Sequence, residues 1–107
     1  MKKIFATFLL LLMTTPTFAL WDYQLMELVG YTILGSKTIT GWYDQEGKKG
    51  DSFDGCDYGR VIVFDNSKVL TCTGYHYHYA YRPTAIILSN GSSYKMIVAD
   101  QIYNMSR

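Results

Sequence analysis

Cysteine and proline are scarce in this 107-residue chain, with two of each. The two cysteines are not spaced C-x-x-C, which argues against a thioredoxin-type oxidoreductase. There is no Pro-rich linker, no internal repeat and no low-complexity tract. Charge of one sign is also missing, since ten Lys and Arg face nine Asp and Glu. Without a basic stripe to neutralise a row of phosphates, nucleic-acid binding is not expected. The same balance disfavours electrostatic docking on anionic lipid. No apolar run reaches the roughly 20 residues that span a bilayer. No nucleophile elbow frames any of the serines.

The N-terminus carries the clearest signal. Met1-Lys-Lys3 is a short basic start, and residues 4–13 are nearly all apolar. Thr14-Thr15-Pro16 breaks the run, and Thr17 and Ala19 place small residues at a cut after Ala19. That order is the pattern of a cleavable secretory signal peptide, over residues 1–19. Leu20 rather than Cys follows the cut, so lipid attachment there is not expected. The mature chain would be 88 residues, one domain, with eight basic and nine acidic side chains. It is expected in the periplasm or outside the cell, with no stable membrane insertion after cleavage.

All ten tyrosines lie beyond residue 19, against two phenylalanines, Phe53 and Phe64. Tyrosine has an apolar body and a polar tip, so it suits half-buried positions on a sheet. A small core padded with tyrosine needs a staple. In an oxidising compartment Cys56 and Cys72 are expected to pair, closing a 17-residue loop. Paired, neither is a resting nucleophile.

Residues 20–28 form the best helix candidate, with Trp21, Leu25, Leu28 and Val29 at helical spacing. The rest reads as strand. Residues 31–34 and 37–43 flank Gly35-Ser36, the form of a hairpin. Residues 44–59 read as a long exposed Gly-rich loop. Val61-Ile62-Val63-Phe64 suits a buried strand, and residues 69–81 a long strand bent near Gly74. Asn90-Gly91 is the strongest hairpin signal, between residues 85–88 and 94–99. Residues 100–105 suit a helical turn or a last short strand. Six short strands joined mostly by hairpins predict a mainly β fold. The expected form is a small antiparallel barrel or roll, SH3-like or OB-like, with a short N-terminal helix.

The most distinctive segment is Gly74-Tyr75-His76-Tyr77-His78-Tyr79-Ala80-Tyr81-Arg82. On a strand, side chains alternate faces. Tyr75, Tyr77, Tyr79 and Tyr81 then share one face, and His76, His78, Ala80 and Arg82 the other. Two readings compete for the tyrosines: the inward face of the barrel, or, with Trp42 and Arg82, an exposed surface for a partner. His76 and His78, two residues apart, could ligate one zinc or copper ion. Two ligands do not complete a site, and the plain reading is a polar outward face. Asp44-x-Glu46-x-Lys48 matches a calcium loop poorly, because Lys48 stands where a ligand belongs and Gly55 where the bidentate Glu belongs.

The stretch from Phe53 to Asn66, Phe-Asp-Gly-Cys-Asp-Tyr-Gly-Arg-Val-Ile-Val-Phe-Asp-Asn, carries a resemblance. It continues through residues 79–88 and 95–98. The chain resembles small signal-peptide-bearing bacterial proteins of unassigned function. The resemblance implies a bacterial, exported, single-domain protein, and brings no activity or site with it.

These features lead to the expectation of a non-catalytic binding module with a protein or glycan partner and no cofactor. One alternative is an inhibitor or immunity-type protein that blocks a toxin or hydrolase with the 44–59 loop. Another is a metal-binding protein using His76 and His78.

Overall fold

The computed structural model describes residues 20–107. The expected signal peptide at residues 1–19 lies outside the described residues. The elements are a helix, α1 (Asp22–Met26), and seven strands: β1 (Thr32–Tyr43), β2 (Lys49–Gly50), β3 (Val61–Phe64), β4 (Val69–Cys72), β5 (Thr84–Ser89), β6 (Tyr94–Val98) and β7 (Gln101–Ser106). Every pairing is antiparallel. The strand order is β2-β1-β3-β4-β7-β6-β5, and β5 pairs back onto β1. That last pairing closes a six-stranded barrel, with β2 as a short appendage on β1.

Closure depends on β1, which the sequence presents as a hairpin and the structure makes one 12-residue strand. Its first half pairs with β5, from Thr32 opposite Ser89 to Thr38 opposite Thr84. Its second half pairs with β3, from Ile39 opposite Phe64 to Tyr43 opposite Val61. The register shifts between Ile33 and Gly35, and again between Ile39 and Gly41. Gly35 has φ +149°, a conformation that favours glycine, and it serves the first irregularity rather than a turn. Two bulges bend the strand enough to belong to both walls.

Alternation supplies the core. β3 buries Ile62 and Phe64 and half-covers Val61 and Val63, so it is one-sided rather than buried on both faces. Ile39, Ile62, Met96 and Val98 are fully enclosed. Each such side chain contributes about 1.5–3 kcal/mol of transfer free energy. Asn90 builds the β5–β6 hairpin as its sequence predicts: its Oδ1 accepts from the backbone N–H of Ser92 and Ser93. Residues 101–106 form a strand rather than a helical turn.

The helix departs from its predicted face. Trp21, Leu25 and Val29 are exposed, and the buried residue is Gln24. Its Oε1 accepts from the Trp21 N–H at 2.9 Å, the backward half of a capping box. Its Nε2 donates to the Asp100 carbonyl at 2.8 Å. A five-residue helix cannot stand on propensity, and this polar anchor to the β6–β7 turn replaces the expected apolar stripe.

Candidate binding surface

The segment between β4 and β5 is not the long strand that alternation predicts. β4 ends at Cys72, where a disulfide joins it to Cys56 at a Cα–Cα distance of 5.6 Å. Residues 73–83 then cross one end of the barrel as a tethered loop. Cys56 and His76 exchange both backbone hydrogen bonds, at 2.9 and 3.0 Å. Phe53 and Ala80 do the same, at 3.0 and 2.9 Å. Three residues, 77–79, therefore oppose two, 54–55. One extra residue unpaired in this way breaks the two-residue alternation. Tyrosines and histidines consequently do not segregate to opposite faces.

The segment expected as a solvated loop, residues 44–59, is the other half of this arrangement. Ser52, Phe53, Gly55 and Cys56 are buried, and Phe53 is fully enclosed. Asp44 uses its Oδ1 to accept from the Glu46 and Lys48 N–H groups, fixing the turn into β2. Further along, Asp54 Oδ2 accepts from Trp42 Nε1 at 2.7 Å. The Arg60 guanidinium stacks 3.8 Å over the Trp42 ring and donates to the Asp54 and Gly55 carbonyls. The longest exposed run left in it is residues 45–49. The physical reason is Phe53: an aromatic ring in a Gly-rich segment gains more by entering the core than the chain loses by being pinned.

With its backbone held from below, the loop turns its tyrosines out. Tyr75, Tyr77, Tyr79 and Tyr81 are 54–72% exposed. The reading of these four as the inward face of the barrel is therefore corrected. Arg82 is exposed and holds the loop's exit, its Nε donating to the Asp51 carbonyl at 3.1 Å. Trp42 is half-buried against the core rather than exposed as part of that solvent-facing row. A fifth tyrosine, Tyr58, is 73% exposed on the turn just after Cys56. Its only signal in the sequence was its place two residues from a pinned cysteine.

His76 is exposed, and its ring meets the Tyr103 ring edge-on at 5.8 Å. Tyr103 in turn meets Phe53 in a T-shaped contact at 5.4 Å. Its hydroxyl is buried with no hydrogen-bond partner. Burial, helped by the negative charge of Asp100, pushes that phenol up to about 12. His78 is half-buried. Among the described residues, no group of three or more His, Cys, Asp or Glu side chains gathers where it could hold a metal ion. Nor, among them, is any helix long and apolar enough to cross a membrane.

No protein-family model matches the chain, and no curated protein or solved structure matches it either.

Proposed function

We propose that this chain is an exported bacterial binding module, non-catalytic, that engages a partner protein through the tyrosine loop at residues 73–83. The observation that carries the reading is the combination of exposed tyrosines and a tethered backbone. Tyrosine gives a large amphipathic contact area at low entropic cost, because only two side-chain torsions are lost. A pre-ordered loop reduces the cost of association further. Export is supported by the signal-like residues 1–19 and by the Cys56–Cys72 bond, which suits an oxidising compartment. We take the barrel as SH3-like or OB-like, supported by its six short strands and the bent β1 shared by both walls.

Two measurements test this. Protein recovered from the periplasm or medium should begin at Leu20 by N-terminal sequencing. The disulfide-intact protein should retain a partner that is lost when Tyr75, Tyr77, Tyr79 and Tyr81 are all changed to Ser. These side chains are exposed, so the variant should unfold within a few degrees of the parent. A variant that folds and holds the same partner equally well would overturn the assignment. A glycan bound with the same dependence would move it to a glycan partner.

A further inference from the structure

The tyrosine loop lies at the end of the barrel where β4 finishes and β5 begins. The opposite end, where β3 finishes, β4 begins and β7 runs out to Arg107, carries a cleft of about 280 Å³. No residue of the tyrosine loop lines it. Its floor is core: Phe64, Leu70 and Ile87 are buried side chains that wall it from below. Leu34 and Val69 extend the apolar wall to the rim, where both are exposed. Three further lining residues are cations, Lys37, Lys68 and Arg107, and none is an acid. Arg107 lies 5.9 Å over the ring of Tyr94, which also lines the cleft.

That clustering is more than composition gives. The described residues hold eight Lys and Arg against nine Asp and Glu, yet this opening draws three cationic side chains and no acidic one. An apolar floor alone would suit any greasy ligand, and cations alone would suit any small anion. Together they select a molecule with both parts. The volume accommodates about nine water-sized groups, which matches a chain of medium length rather than a long lipid tail. We propose that this cleft binds a free monoacyl carboxylate, with the chain on Phe64, Leu70 and Ile87 and the head group among Lys37, Lys68 and Arg107. Cationic head groups are excluded by repulsion, and neutral ones lose the attraction to three charges.

The probe is decanoate, titrated against the disulfide-intact protein and followed by NMR at the methyl groups of Leu70 and Ile87. One equivalent should saturate these signals well below the concentration at which decanoate forms micelles. From hexanoate to decanoate, each two-carbon step should tighten binding by about fifteenfold at most, since one methylene is worth about fourfold. Decanol should bind at least tenfold more weakly, and decyltrimethylammonium should not bind. Changing Lys37, Lys68 and Arg107 to Gln should weaken decanoate at least tenfold and leave decanol unchanged. These side chains are exposed, so the fold is retained. The proposal is overturned if decanoate fails to saturate the site, or acts only as micelles. It is equally overturned if decanol or the ammonium binds as tightly, or if the triple variant keeps its affinity. A cleft covered by a second copy of the chain, seen as a doubled mass in solution, also ends it.

Discussion

Gly55 sets its α-carbon against the main chain of Tyr77. A Cβ at this position would stand 2.8 Å from Tyr77 Cα and 2.6 Å from His78 N. Its φ of +84° adds a second barrier, because side chains rarely adopt that conformation. The contact lies between the two bridges that tether the tyrosine loop, so it sets how closely residues 53–56 and 76–80 approach. Gly55→Ala should therefore destabilise the protein by roughly 2–4 kcal/mol, combining left-handed strain with overpacking against backbone. Urea unfolding measures it. A loss below about 0.5 kcal/mol, the size of an ordinary surface change, would show that the two segments part freely.

The disulfide ties the first of these segments to β4. Cys56 belongs to the buried 53–56 stretch and Cys72 ends β4, both almost fully enclosed. Changing both to Ser should cost about 3 kcal/mol, the chain-entropy value for a loop of this length. The core strands should survive and the tyrosine loop should open first. Amide exchange at His76 and Ala80 would then rise well above that at Met96 and Val98. Equal acceleration at all four would mean that the bond supports the whole barrel rather than the loop.

A gain in stability is expected at the β6–β7 turn. Val98 pairs with Gln101, leaving Ala99 and Asp100 as a two-residue connection. Ala99 has φ +57°, a left-handed conformation that costs an L-residue roughly 1–2 kcal/mol. Glycine removes that cost but loses roughly 0.5–1 kcal/mol through its freer unfolded state. The balance for Ala99→Gly is a stabilisation of about 0.5–1 kcal/mol, read as a higher thermal midpoint. Ala99→Val should lower it. A lower midpoint for the glycine variant would mean that the turn is not strained at this residue.

What was legible in the sequence had local causes. Asn90-Gly91 builds its hairpin from bonds within four residues, and residues 61–64 form the strand their apolar run predicts, though one face only is buried. The Cys56–Cys72 pairing followed from there being no other thiol to choose. What was not legible depends on partners far away in the chain. Gln24 rather than Leu25 is buried because the Asp100 carbonyl lies 76 residues on. Gly35 has the composition of a turn, but pairing with Ile87 of β5, 52 residues later, makes it a bulge. The tyrosine row failed as a strand because Phe53 and Cys56 capture Ala80 and His76 out of step. Lys37, Lys68 and Arg107 meet at one opening only through barrel closure, and no window of sequence contains them together.

Tyr103 joins this architecture to pH. Its ring is packed between Phe53 and His76, and its hydroxyl is buried without a partner. The folded phenol is pushed from 10.0 to about 12, first by burial and then by Asp100. In the unfolded chain the same group ionises near 10. Above that value the unfolded state holds fewer protons than the folded one, so stability falls as pH rises. The contribution is intact below about pH 10 and is lost progressively up to about 12. Its size is on the order of 2–3 kcal/mol across that window. Tyr103→Phe removes both the ionisation and an unsatisfied buried hydroxyl. Below pH 10 the variant should be as stable as the parent or more so, by up to about 1–3 kcal/mol. Subtracting its stability curve from that of the parent should give a difference that is flat below pH 10 and steepens above it. A difference that stays flat to pH 12 would show that water reaches the hydroxyl.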